Sequence, residues 1–202
     1  MGKIFMILGK SASGKDTISS LVLKALPNQL EQIVPYTTRP MRPDEVEGEQ
    51  YHFITEKEMN EIPEEMVIER RCYQTVYGDW YYMNLKKDID LDSKSYIVIG
   101  TITVLEAFRE IYKEKVVAIY IYSSAKERLL RSINRSKGST KEMMEICRRF
   151  LKDEEDFNIE HITYEQVNLL VSNTEDPAKA SQIITNFILK AIVDNTVDNL
   201  KG

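Results

Sequence analysis

The stretch GKSASGKDT, residues 9–17, brings two glycines, two lysines and three hydroxyl side chains into one short window. Its spacing is that of the phosphate-gripping loop G-x-x-x-x-G-K-[ST], except that Asp16 stands where the pattern asks for a hydroxyl. Gly9 and Gly14 permit backbone angles that turn successive N–H groups toward one anion, and Lys10, Ser11, Ala12 and Ser13 supply the backbone between them. A helix starting near Lys15 adds its positive end, and the Lys15 ammonium would reach the outer phosphates of a triphosphate as a point charge. The plainer alternative is a glycine turn with an incidental lysine. An apolar strand before the loop and a helical pattern after it favour the phosphate loop.

Asp16 admits three readings. As an acid in the first helical turn it would complement the helix dipole, a contribution of about 0.3–1 kcal/mol. As a ligand of Mg²⁺, direct or through water, it would supply the hard anionic oxygen that ion prefers. As a disabling substitution it would repel the triphosphate. Thr17 still offers a hydroxyl one residue later, which weakens the third reading and makes Asp16 and Thr17 the candidate metal-side residues.

Elements that could position such a loop recur along the chain. The runs KIFMIL, SYIVIG, VVAIYIY and NLLVS are apolar and rich in β-branched residues or tyrosine, and each is followed by helical spacing, the alternation of a parallel sheet covered by helices. Between the first two runs, QIVPYTTRP through WYYMN breaks into short strand-like pieces separated by turn signals, which predicts a small mixed insertion. From Ala125 to Phe157 the chain reads as a helix, a polar break at RSKGST and a strongly charged helix, either a mobile basic lid or an ordinary surface hairpin.

With 202 residues, 43% hydrophobic, the chain has material for one sizeable core. A net charge of −5 argues against DNA, RNA or an anionic membrane as the main partner while leaving room for a small polyanion. Cys72 and Cys147 lack CxxC spacing and read as reduced structural thiols of a cytoplasmic protein. The opening MGKIFMILG is too short to span a bilayer before its glycine and is expected to be a buried first strand.

The segment YTTRPMRPDEVEGEQYHF resembles the GMP-binding segment of guanylate kinases, commonly TTR-x-x-R-x-G-E-x-x-G-x-x-Y-x-F. Thr37, Thr38, Arg39, Arg42, Glu45, Gly48, Tyr51 and Phe53 keep the spacing, with Asp44 in the usual glycine position. Two arginines and a tyrosine suit a dianionic phosphate. The stretch VIERRCYQTVYGDWYY resembles the family's FLE…FGNYYG, which implies that Glu69 reads guanine and that Tyr81 contacts the acceptor phosphate. In RSINR the resemblance assigns Arg131 and Arg135 to the triphosphate side, in RRFLKDEEDF it assigns Arg149 to the transferring phosphoryl group, and in VNLLVSNTED it puts Asn173 at the edge of the adenine pocket.

Further positions depart from the family's pattern. Pro35 replaces a serine that helps read the guanine carbonyl, Met83 falls where a second hydroxyl is usual, and Gly100 with Thr101 stands where an acid would help hold magnesium. The first two remove donors from the base pocket, and the third makes Asp16 a candidate replacement for the missing acid.

The resemblance implies an α/β fold of P-loop NTPase type, three layers deep, with a parallel sheet, a small mixed acceptor-binding insertion and a helical lid. It implies one domain over residues 1–202, with a core of residues 1–34, 94–124 and 158–192, an insertion at 35–93 and a lid at 125–157. The expected reaction moves the γ-phosphoryl of ATP to a nucleoside monophosphate, GMP by preference, with Mg²⁺, in a cytoplasmic monomer or homodimer. Lys15, Arg135 and Arg149 would stabilise the transferring charge. A kinase of another nucleotide or small phosphorylated acceptor, and a guanylate kinase-like binding module without turnover, are the alternatives.

Overall fold

A computed structural model describes residues 2–43, 45–157, 166–174 and 176–199, with side chains as far as residue 193. Asp44 and residues 158–165, the expected start of the last core segment, lie outside the described residues. In chain order the first elements are β1 (Ile4–Leu8), α1 (Lys15–Ala25), β2 (Leu30–Gln32), β3 (Tyr36–Thr37), β4 (His52–Phe53), α2 (Glu56–Glu61), β5 (Val67–Thr75) and β6 (Gly78–Leu85). There follow β7 (Ser95–Ile99), α3 (Ile102–Tyr112), β8 (Val116–Tyr122), α4 (Ala125–Arg135), α5 (Thr140–Asp156), β9 (Leu169–Ser172) and α6 (Pro177–Asn199). Two compact units divide them, Met1–Glu31 with Leu91–Gly202, and Gln32–Asp90.

In the first unit the four apolar runs become β1, β7, β8 and β9 of a five-stranded sheet ordered β2-β7-β1-β8-β9. β1 lies parallel to β7 and to β8, and β8 parallel to β9. Every residue of β1 is buried, as a central strand covered on both faces must be. Phe5 and Ile7 pack with Ile18 and Val22 of α1 and with Ala180, Ile184 and Ile188 of α6, at the spacing that puts one helix face against a sheet. On the other side Met6 lies next to Val104 of α3, where Val104, Leu105 and Phe108 are buried. The region expected to form a lid is α4 and α5, each begun by a capping box: Ser124 with Glu127, and Ser139 with Glu142. The polar break RSKGST thus ends one helix and caps the next.

The second unit is a mixed four-stranded sheet ordered β4-β3-β6-β5, with β3 parallel to β4 and antiparallel to β6, and β5 antiparallel to β6. Alternation along β6 sorts its residues. Met83 and Leu85 enter a small core with Met59, and Tyr81 packs against it, so Tyr82 and Asn84 project to the opposite face. Met83 is therefore a core side chain, not one placed to meet a ligand in the position of the expected hydroxyl.

Candidate active site

The phosphate loop joins β1 to α1, and its conformation follows from three left-handed residues. Gly9 and Gly14 have φ of 146° and 98°, and Ala12 joins them at 59° despite its side chain. A Cβ at Gly9 would come within 2.5 Å of the Ile121 carbonyl oxygen, and one at Gly14 would collide with Asn173 Nδ2. Lys15 sits in the first turn of α1, and its Nζ donates to the carbonyls of Gly9 (2.6 Å) and Lys10 (3.1 Å). Burial pulls the Lys15 ammonium below its ordinary range, opposed by the charges of Asp16 and Asp153.

Two expected nucleotide-side residues hold this loop. Asn173, buried at the end of β9, donates through Nδ2 to the Ser13 carbonyl at 2.7 Å. Arg131 on α4 donates to Ser123 Oγ (3.1 Å) and to the Asn173 carbonyl (2.8 Å), with longer bonds of 3.4 Å to the carbonyls of Ala12 and Ser13. Their described contacts brace the loop from below, whereas adenine recognition at Asn173 was the expectation.

Facing the loop stands an acidic pair that the sequence reading did not single out. Ser11 N–H donates to Asp153 Oδ2 at 2.6 Å, and Lys10 Nζ donates to Glu154 Oε2 at 2.5 Å. Arg128, only 3% exposed, holds both acids: Nη2 meets Glu154 at 2.7 Å, Nη1 lies 3.7 Å from Asp153, and its guanidinium stacks over Phe150. In the sequence Asp153 and Glu154 belong to the run KDEEDF, which resembles any solvated helix end, and Arg128 is one of several lid arginines. Only the tertiary contacts distinguish them.

The two lid arginines expected to act on the transferring group are placed differently. Arg149 Nε donates to Glu145 Oε1 at 2.9 Å one helical turn back, and Arg148 binds the same carboxylate through two bonds of 2.8 and 2.9 Å. Arg135 is exposed in the last turn of α4. Neither touches the phosphate loop among the described contacts. Just past the end of β7, Gly100 carries no acid, and a Cβ there would lie 2.9 Å from Met6 Sδ and 3.2 Å from Val104, so any side chain would require those two to shift.

The donor set for a divalent metal is small. Asp16 and Thr17 are both exposed in the first turn of α1, and no cluster of three or more His, Cys, Asp or Glu able to hold a metal occurs among the described residues. One carboxylate and one hydroxyl fit an Mg²⁺ ion that shares substrate phosphates and water, and do not make a preformed protein cage.

In the second unit Arg39, Glu45, Tyr51 and Tyr82 lie in one group of contacts. Arg39, 3% exposed, is gripped by Glu45 through bonds of 2.9 and 2.7 Å, and Arg42 N–H donates to the same carboxylate at 2.8 Å. Burial pushes the Glu45 carboxyl up, but Arg39 and Arg42 together outweigh it and hold it below the ordinary carboxylate range. The Arg42 side chain itself is exposed. The Arg39 guanidinium lies 5.2 Å from the Tyr51 ring, and Tyr51 meets Tyr82 edge-on at 5.6 Å.

Tyr82, not Tyr81, stands in this group. Tyr81 turns to the opposite face beside Cys72, whose proximity raises its phenol above the ordinary range. The resemblance of VYGDWYY to FGNYYG implies a contact by Tyr81, but period-two alternation reverses the face at each step of the strand and puts Tyr82 beside Tyr51. Glu69 is buried on the Tyr82 face, where it accepts from Asn84 Nδ2 at 2.7 Å and pairs with Arg71 Nε at 2.8 Å. Burial raises its carboxyl above the ordinary range, against the pull of Arg71 and Asn84. Asn84 and Arg71 were legible only as strand residues.

The parallel sheet pairs, the left-handed glycine loop and the lysine at the head of α1 define a nucleotide-binding α/β protein of P-loop NTPase type. The chain belongs to the guanylate kinase family, whose profile, described as "Guanylate kinase", matches residues 1–176. It is 34% identical over 139 residues to a guanylate kinase of Ehrlichia canis, covering 67% of this chain and 65% of that relative, so the match stops short of two thirds of the relative's length. A guanylate kinase of Ehrlichia ruminantium (strain Gardel) is 27% identical over 194 residues, covering 95% and 88% of the two chains. Among solved structures, a guanylate kinase from Anaplasma phagocytophilum superimposes with a TM-score of 0.64 at 24% identity, over 94% of this chain and 86% of the other, a likeness of fold. No helix among the described residues is long and apolar enough to cross a membrane.

Proposed function

We propose that the chain transfers the γ-phosphoryl group of ATP to GMP, yielding ADP and GDP. The observation that carries this reading is the buried Glu69 carboxylate on the same sheet face as Tyr82, which adjoins Tyr51 and through it Arg39. A carboxylate suits the paired N–H donors of guanine, and a guanidinium with two phenols suits a nucleotide phosphate. The family relationship supports the ATP half.

In this reading the loop amides and Lys15 bind the ATP phosphates, with Arg131 and Asn173 keeping the loop in shape. Arg39, Arg42, Tyr51 and Tyr82 hold the GMP phosphate. One of its anionic oxygens attacks the γ-phosphorus in line while the bond to the β,γ-bridging oxygen breaks, so no general base is needed. Phosphoryl transfer is governed by positioning and by positive charge on the equatorial oxygens, the task assigned to Lys15, Arg135 and Arg149. Arg149 must then leave or share Glu145, a rearrangement within reach of a lid formed by residues 125–157. Mg²⁺ held by Asp16 and Thr17 would neutralise charge on the outer phosphates. The two free cysteines accord with a reducing, cytoplasmic setting.

A coupled ADP-release assay with ATP and Mg²⁺ against AMP, GMP, dGMP, IMP, UMP and CMP tests the reading, with Lys15→Ala alongside. Turnover on GMP that falls about 10²–10³-fold in the variant is expected. Turnover on a different acceptor, or none on any, overturns it.

A further inference from the structure

We propose that Asp153 is a specificity-determining residue that sets the balance between ATP and ADP. Its carboxylate holds the place of the terminal phosphate on the phosphate loop, gives way to a triphosphate and stays in place beside a diphosphate. The inference rests on the ATP half of the proposed function and goes beyond it, since neither the acceptor nor its base enters.

The contact lies at the outer end of the loop. Lys15 Nζ donates to the carbonyls of Gly9 (2.6 Å) and Lys10 (3.1 Å), so its head rests beside the first residues of the loop. In a phosphate loop that ammonium serves the outer phosphates, while the amides further along cradle the inner ones. Ser11, the next residue, gives its N–H to Asp153 Oδ2 at 2.6 Å, and the charge of Asp153 acts on the Lys15 ammonium. A backbone N–H has one hydrogen to donate, so a phosphate oxygen and the carboxylate exclude each other there, and their like charges repel.

Arg128 offers the displaced carboxylate a second position. It is only 3% exposed, and its Nε and Nη1 are buried without a hydrogen-bond partner. Nη1 already lies 3.7 Å from Asp153 Oδ2. Buried guanidinium N–H groups in this state need an acceptor, and a turn of the Asp153 side chain from Ser11 toward Arg128 supplies one by a charge-assisted bond. Glu154 accepts from Lys10 Nζ at 2.5 Å and from Arg128 Nη2 at 2.7 Å, which keeps the end of α5 beside the loop in either position.

Selection follows from what each nucleotide brings to the Ser11 N–H. The terminal phosphate of ATP carries several anionic oxygens for the Ser11 N–H and Lys15, enough to send Asp153 to Arg128. ADP ends at the phosphate held by the inner amides, so it binds with Asp153 still on Ser11 and gains nothing from moving it. After transfer of the terminal phosphoryl group the carboxylate returns to the vacated N–H.

Titration calorimetry of ATP and of ADP, each without acceptor, into the wild type, Asp153→Asn and Glu154→Gln tests this. Asp153→Asn should lower the ATP Kd about fivefold and move the ADP Kd by less than about twofold. Glu154→Gln removes an equal charge from the same helix end and leaves the Ser11 contact, so it should keep the wild-type ratio of ATP to ADP affinity. Equal gains on ATP and ADP in Asp153→Asn, or no gain on ATP, would overturn the proposal, as would a shift of the ratio in Glu154→Gln as large as that in Asp153→Asn. If Asp153→Asn does not fold, Asp153→Ala carries the same expectation. The expected binding shift without turnover on GMP would overturn the proposed function alone, and no binding of either nucleotide to any of these proteins would overturn both.

Discussion

Replacing Asp153 by asparagine preserves the size of the side chain and removes the charge that faces the phosphate loop. Ser11 N–H is one of the amides such a loop directs at phosphate, and its present acceptor is Asp153 Oδ2 at 2.6 Å. A charge-assisted bond of this kind contributes about 1.5–3 kcal/mol, and a neutral acceptor roughly half as much. The substitution therefore weakens by about 1 kcal/mol the contact that ATP must displace, which corresponds to a Kd lowered about fivefold. Arg128 keeps its 2.7 Å bond to Glu154, so α5 stays anchored. Titration of the protein with a fluorescent ATP analogue, with and without Mg²⁺, measures the effect, and the gain should shrink as salt screens the wild-type charge. An unchanged Kd would mean that the carboxylate does not stand in the path of ATP. A raised Kd seen only with Mg²⁺ would place Asp153 on the metal side of the site and refute the argument.

Tyr82→Phe should raise the GMP KM about 10-fold or more by removing a phosphate-side hydroxyl, and by much more than Tyr81→Phe, as steady-state kinetics on the two variants will measure. Gly100→Ala should lose about 1–3 kcal/mol by crowding Met6 and Val104, seen as a lower urea midpoint with an unchanged slope. Asn173→Ala removes the 2.7 Å bond to the Ser13 carbonyl and should cost about 1–3 kcal/mol in thermal unfolding while weakening ATP binding. On the proposed function Glu69 accepts from guanine as a carboxylate, so GMP binding should be lost as pH falls through its raised pKa; without Arg71 burial acts less opposed, and calorimetry across pH should find the acid limb of Arg71→Ala displaced upward.

Much of the first unit was legible in the sequence because its signals are local. A strand, a glycine loop and a lysine at a helix start mark a phosphate loop when they occur in that order, and the apolar runs at 4–8, 95–99 and 116–122 read as largely buried strands, with 169–172 a shorter strand at the sheet edge. The motif around Arg39 and Tyr51 was equally readable, since its spacing is carried by one continuous segment. What the sequence could not decide is which face of β6 each residue takes. A one-residue slip exchanges Tyr81 for Tyr82 and Met83 for Asn84, and only the pairing of β6 with β3 and β5, with Met83 in the core, determines the phase. Likewise, no local pattern marks Asp153 as the acceptor of the Ser11 N–H, because the contact joins residues 142 positions apart. The crowding at Gly100 is also visible only in three dimensions, where a side chain would press on Met6 and Val104. Sequence determined which chemical groups the protein has and where its strands and helices run; the tertiary structure decided which of those groups face each other, since strand phase and long-range charge pairing are properties of packing and not of neighbours along the chain.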